Sequence, residues 1–331
     1  MRTLLFCLAA LSCLLLPLTG CGGSDSAAFG PRYPKKIVEN DRYGYIGQSG
    51  AVVIAPQYID AGDFSEGLCA VNIKGRYGYI DTTGTVVIEP RFDAAGDFSE
   101  GLASVNIGGL YGFIDTTGAI VIEPSLEQAW NFTDGIARIK RGALFGYIDR
   151  SGKTVVEPRY EDSGKFYEGL AAVMIDGRYG YIDRSGSVVI EPKFDFAWMF
   201  SEGLASVKIS GKTGYVDRSG SVVIEPQFDT AWHFSEGLAA VKTGELFGFI
   251  DKTGAVVIKP AYVYAWRFSE GLAAVKQDSL FGYIDHKGKM VIKPRFEEAK
   301  TFEGGLALVK CEGDWAYIDR KGQFIYRPEK K

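Results

Sequence analysis

Few side chains in this sequence are of types that carry out reactions, so their spacing decides what chemistry is open to them. The two histidines, His233 and His286, occupy unrelated surroundings: His233 follows Trp232, whereas His286 lies in Asp285-His286-Lys287-Gly288. Neither stands near a cysteine, so the ligand spacing of a zinc site is missing. No metal or other cofactor is expected. Cys69 and Cys311 form no Cys-x-x-Cys pair and read as small buried apolar residues. Carboxylates at Glu66, Glu100, Asp134, Glu168, Glu202, Glu236, Glu270 and Glu303 recur along the chain. General acid–base pairs need environments that push two pKa values apart. A recurring row supplies near-identical environments, so turn capping or solvent exposure is the expected role. Trp198, Trp232 and Trp266 stand 34 residues apart, with Trp130 further upstream. Flat aromatic faces at a fixed interval can take a sugar or a partner's apolar side chain, or can fill the space between structural copies. Both readings stay open on sequence grounds. Nucleophile elbows, phosphate loops and dinucleotide fingerprints are absent from the sequence.

Composition narrows the elements that could position these residues. Glycine makes up 42 of 331 residues, too many for a mostly helical chain, since each costs about 1 kcal/mol in a helix interior. Hydrophobic residues at 46% and aromatics at 13% exclude intrinsic disorder. Thirty-seven basic against 41 acidic residues give a net charge of −4, so no field favours nucleic acid, and none is expected as a partner.

The N-terminus has a separate logic. Met1-Arg2 precedes an apolar run from Leu4 to Leu18, too short to span a membrane and suited to a signal peptide. Leu18-Thr19-Gly20-Cys21 resembles the lipobox of bacterial lipoproteins, which implies lipidation of Cys21 as the first mature residue. Gly22 stands where an aspartate would favour inner-membrane retention, so the resemblance implies an outer-membrane anchor in the cell envelope. Residues 1–20 are thus read as a lipoprotein signal peptide. Residues 21–35 are read as the lipidated cysteine with a flexible tether, and residues 36–331 as the folded body.

That body is one motif repeated. An aromatic-Gly-aromatic-Ile-Asp signature places glycine at 44, 78, 112, 146, 180, 214, 248 and 282, with Ala316 at the ninth position. Pro56, Pro90, Pro124, Pro158, Pro192, Pro226, Pro260, Pro294 and Pro328 keep the same interval of 34. Short runs of Val, Ile, Tyr and Phe broken by Gly and Pro predict strands rather than the paired helices of other 34-residue repeats. In one copy, Leu102–Ile107, Leu110–Asp115 and Ala119–Ile122 are three expected strands. Asp115-Thr116-Thr117-Gly118 is expected as a turn, and the proline as the end of the ladder. The connector to the next copy holds either a fourth short strand or a helical turn. Its phenylalanines, such as Phe98 and Phe132, are expected to plug the space between copies. The signature glycines Gly78, Gly112, Gly146, Gly180, Gly214, Gly248 and Gly282 are expected to let a neighbour's aromatic ring lie on bare backbone.

These residues resemble the WG repeat family of bacterial proteins, from about residue 36 to 328. Tyrosine or phenylalanine mostly replaces the tryptophan of the name, and Trp315 precedes Ala316 rather than glycine. The resemblance implies a repetitive β scaffold used for interaction, with neither catalytic residues nor cofactor. The fold expected is all-β: tandem 34-residue meanders in an open, solenoid-like superhelical array, because no terminal strand stands ready to close a ring, with a closed β-propeller as the alternative. The function expected is a non-enzymatic, lipid-anchored binding scaffold of the envelope, whose partners are envelope or extracellular proteins. A glycan-binding module using Trp130, Trp198, Trp232 and Trp266 is an alternative, and a carboxylate-dependent envelope hydrolase a more distant one.

Overall fold

The computed structural model describes residues 32–328. The expected signal peptide, Cys21 and most of the tether lie outside the described residues, as do the last three. Every repeat folds as an antiparallel sheet, and nine sheets follow one another along the chain as blades 1 to 9. In blade 3 the strands Ala94–Ala95, Leu102–Ile107, Leu110–Asp115 and Ile120–Leu126 pair in that order. The connector therefore contributes a fourth strand of only two residues. Blade 1 consists of Lys35–Glu39, Arg42–Ile46 and Val52–Tyr58. Blade 2 has Leu68–Ile73, Arg76–Asp81 and Val86–Phe92, with an isolated bridge from Ala61 to Val71 in place of its short strand.

The turns form as their residues dictate. Asp115 Oδ1 accepts hydrogen bonds from the Thr117 amide at 2.9 Å, the Thr117 hydroxyl at 2.6 Å and the Ala119 amide at 3.0 Å. The same bonding recurs at Asp81, Asp149, Asp183, Asp217 and Asp251 and holds each carboxyl below its ordinary pKa, led by the neighbouring Thr or Ser hydroxyl. A depressed folded pKa contributes stability above the unfolded value, about 3.9, and that contribution is lost as pH falls through the folded value. The urea midpoint should thus stay level above about pH 5 and decline below about pH 4, and Asp217→Asn should make the decline shallower.

Two local expectations need correction. The strand does not stop at proline: Ile120–Leu126 runs through Pro124, with register shifts that bend it across its partner. The signature glycine also meets its own blade, not a neighbour's ring. A Cβ on Gly248 would lie 2.5 Å from the Ile258 carbonyl oxygen and 2.7 Å from Pro260 N. Bend and glycine therefore belong together: the proline-bearing strand lies on backbone that has no side chain.

Blade faces stack through one repeated aromatic pair. Tyr45–Phe64, Tyr79–Phe98, Phe113–Phe132, Tyr147–Phe166, Tyr181–Phe200, Tyr215–Phe234, Phe249–Phe268 and Tyr283–Phe302 all hold ring centroids 4.8–4.9 Å apart. In each, the phenylalanine belongs to the blade after its partner's, so the expected plug is what the fold uses.

The expectation of an open array is wrong; the nine sheets close into a β-propeller. Blade 9 packs on blade 1 through Ile37, Ile46, Leu306 and Tyr317. The Tyr317 hydroxyl donates to the Lys36 carbonyl at 2.9 Å, the Tyr326 hydroxyl to Glu39 at 2.6 Å, and Lys35 pairs with Glu303 at 3.3 Å. The Gly50 turn of blade 1 abuts Ile325 of blade 9, much as the Gly84 turn abuts Ile54. Closure needs no exchanged strand, because a blade that stacks on its neighbour can stack on the first blade when the rotation per copy completes a circle.

Candidate functional site: an aromatic run across three blades

At one connector position, just after the short strand in most blades and inside the strand Phe196–Ser201 in blade 6, the residue differs from blade to blade. Blades 2 to 9 carry Gly62, Gly96, Trp130, Gly164, Trp198, Trp232, Trp266 and Lys300 there. Trp198 and Trp232 have ring centroids 6.3 Å apart, and Trp232 and Trp266 stack 6.4 Å apart at 23°. In a closed ring of nine copies, equivalent groups separated by these distances lie about 9 Å from the axis. The indoles therefore stand at the central opening, where blades approach most closely.

The run has flanks that tryptophan spacing alone did not reveal. Phe196 meets Trp198 at 5.2 Å and Tyr179 at 5.1 Å; Tyr264 meets Trp266 at 5.2 Å and Phe247 at 5.5 Å. The signal was available in sequence, since other copies carry Asp, Ala, Gln, Thr or Glu at the position of Phe196 and Tyr264. Trp198 is 44% exposed, while Trp232 and Trp266 are half-buried. The Trp232 indole N–H is buried without a partner. A cleft of about 270 Å³ continues beyond Trp266, bounded by Val263, Lys276, Phe281, Glu298 and Lys300. Trp130 does not join the run, because Gly164 leaves the intervening blade bare; its ring lies 5.8 Å from Phe145 and 3.9 Å from the Arg138 guanidinium.

Charge around the opening is unevenly distributed. At the next repeat position, blades 2 and 3 carry Asp63 and Asp97, whereas blades 5, 7 and 8 carry Lys165, His233 and Arg267. Burial and then the nearby Asp63 raise the Asp97 carboxyl, while burial followed by the Arg267 charge lowers the His233 imidazole. The aromatic run thus lies on the neutral-to-basic side.

The carboxylate row fastens blades together. Glu66, Glu100, Asp134, Glu168, Glu202, Glu236 and Glu270 sit in the left-handed region, φ 53° for Glu66, inside tight Glu-Gly or Asp-Gly turns, whereas in blade 9 Gly304 takes that position and Glu303 stands one residue before it. Glu66 accepts from the amides of Glu100 at 2.7 Å and Gly101 at 2.8 Å in the next blade. Glu202 accepts from Gly237 at 3.1 Å and pairs with Lys252 at 2.9 Å. Burial raises the Glu202 pKa, but the Lys252 and backbone bonds outweigh it and leave the carboxyl below its usual range. Glu202→Ala should cost about 1 kcal/mol in urea unfolding, more in low salt than in high.

The remaining singled-out residues are placed plainly. His286 stacks on Phe268 at 4.3 Å with Nε2 3.1 Å from Glu236, far in the repeat from His233. Cys69 is buried and bonded to the Tyr45 hydroxyl at 2.8 Å, and burial pushes its thiol up to about 12; Cys311 is half-buried, and both are free. Among the described residues no group of His, Cys, Asp and Glu is arranged to hold a metal.

A closed ring of repeated β-sheets with an aromatic surface at its opening defines a class, the β-propeller interaction module. The chain belongs to the WG containing repeat family, matched over residues 43–77, 77–111, 111–144, 145–179, 179–212, 214–246, 247–280 and 281–315. No curated protein matches the sequence. A crystal structure of the eukaryotic initiation factor superposes with a TM-score of 0.63 at 12% identity, over 89% of this chain and 95% of that one. Dihydro-heme d1 dehydrogenase NirN, in complex with DHE, gives a TM-score of 0.45 at 13% identity, over 80% of this chain and 74% of that one. At 12% identity, the likeness to the initiation factor is one of fold alone.

Proposed function

We propose that this protein is a non-enzymatic binding scaffold of the bacterial cell envelope, held at the outer membrane by lipid on Cys21, with Trp198, Trp232 and Trp266 as the contact surface for an envelope or extracellular protein. One observation carries the binding surface: three indoles on consecutive blades touch one another at the opening, with Trp198 open to solvent. Exposed, rigid aromatic groups release water at little conformational cost and dominate interface energies. The lipobox-like Leu18-Thr19-Gly20-Cys21 supports the anchor.

The test compares wild type with a Trp198→Ala, Trp232→Ala, Trp266→Ala variant in capture of partners from solubilised envelopes. Loss of captured partners with an unchanged circular dichroism spectrum is expected, and equal capture would overturn the reading. Cys21→Ser should move the protein from the membrane to the soluble fraction. A glycan partner is the second reading, favoured by the exposed face of Trp198. It predicts that envelope oligosaccharides, rather than proteins, quench indole fluorescence in wild type and not in the variant.

A further inference from the structure

The aromatic run ends at a space rather than at a wall. Trp232 of blade 7 stacks on Trp266 at 6.4 Å and 23°, which covers one face of that indole. Beyond it, between blades 8 and 9, lies the cleft of about 270 Å³. Tyr264 meets Trp266 at 5.2 Å and 70°, and Phe281 at 6.3 Å and 69°, so these rings of blade 8 line it edge to face. Ala299 and Lys300 border it from blade 9. Lys300 holds the repeat position that Trp198, Trp232 and Trp266 hold in the three blades before. The ladder thus has room for a fourth rung where its own chain places a lysine.

Size and lining define what the rung would be. An apolar cavity of about 150 Å³ already admits benzene. The cleft, at about 270 Å³, takes a phenyl, phenol or indole group. Aromatic groups pack on one another offset or edge-on, with centroids about 4.5–7 Å apart. The existing rungs keep that range, at 6.3 and 6.4 Å.

Charge defines what should flank the ring. Lys276, with Nζ 5.4 Å from the Phe281 ring centre, and Lys300 both border the cleft. Glu298 borders it too, but Lys310, its neighbour across the strands, lies 3.8 Å from that carboxylate and offsets it. The mouth is therefore positive and suits an anionic group.

We propose that the cleft is a subsite for an aromatic side chain flanked by carboxylates on a partner protein. The ring stacks beside Trp266 as the fourth rung, and the carboxylates pair with Lys276 and Lys300. The proposal rests on the aromatic run being the contact surface, and it names the partner's chemistry: an acidic segment with tryptophan, tyrosine or phenylalanine at its centre.

A peptide tests this on the full chain. Amidated Gly-Asp-Trp-Asp-Gly with a fluorinated indole is titrated with protein and followed by its fluorine NMR line width. It should bind, more tightly in low salt than in high. Asparagine in place of both aspartates, or Lys276→Gln with Lys300→Gln, should each weaken binding by about fivefold. Unlabelled Gly-Asp-Ala-Asp-Gly should not displace the probe. Lys300→Trp sets the repeat's own indole in the cleft, at a position where four blades already carry tryptophan. That variant should keep the wild-type thermal midpoint and lose the peptide. Binding unchanged by Lys300→Trp, or equal binding of the asparagine peptide, overturns the proposal. Binding of an oligogalacturonide in place of the peptide also overturns it and assigns the cleft to an acidic sugar. Failure of the cleft is separate from failure of the contact surface. If the triple tryptophan variant loses envelope partners while Lys300→Trp keeps them, only the cleft fails; equal capture by the triple variant is failure of the surface itself.

Discussion

Gly248→Ala is expected to destabilise the propeller by about 3 kcal/mol, one of the largest effects available to a single added methyl group. The new Cβ would lie 2.5 Å from the Ile258 oxygen, 2.7 Å from Pro260 N and 3.0 Å from the Lys259 carbonyl carbon. These are backbone atoms of a strand, so no side-chain rotation relieves the overlap. Val256–Tyr262 must move away from Leu246–Asp251, and the register Phe247↔Tyr262, Phe249↔Ile258 must be lost with it. Urea unfolding checks the result, with Val256→Ala on the 58%-exposed side chain as a nearly silent control. A Gly248→Ala midpoint equal to wild type would show that the bent strand does not rest on the glycine.

Phe234→Ala is expected to cost about 3–5 kcal/mol, as for other fully buried phenylalanines. The ring is 0% exposed and packs among Tyr215 and Ile224 of blade 6 and Ala231, Ala239 and Val241 of blade 7. Its removal opens a cavity between two blades at once, and neither sheet can collapse into it without breaking the Tyr215 hydroxyl bond to the Trp232 carbonyl at 2.7 Å. That bond also sets the backbone carrying Trp232. The variant should consequently lose partner capture along with stability, whereas the triple tryptophan variant should lose capture alone. Differential scanning calorimetry beside the capture assay separates the two.

Much was legible in the repeat. Val, Ile and aromatic alternation specified strands, Asp-x-x-Gly specified turns, and the connector phenylalanines read correctly as plugs, because all of these act over a few residues or between adjacent copies. Other features were misread where they depend on how backbone segments cross. Proline seemed to end a strand, yet a bent strand accommodates Pro124 by crossing over Gly112, and that crossing is a three-dimensional fact. The aromatic flanks Phe196 and Tyr264 were visible in repeat alignment but acquire meaning only beside Trp198 and Trp266.

Sequence alone determined the β class, the 34-residue unit, the WG family and the three tryptophans that fall on consecutive copies. Local propensity and strict periodicity are enough for each of these. Tertiary structure decided that the copies form a closed ring of nine, that Trp198, Trp232 and Trp266 touch while Trp130 stands apart, and that the carboxylates fasten neighbouring blades. The reason is cumulative geometry. A periodic sequence fixes which faces meet, but the rotation from each sheet to the next, summed over nine of them, decides whether the last returns to the first.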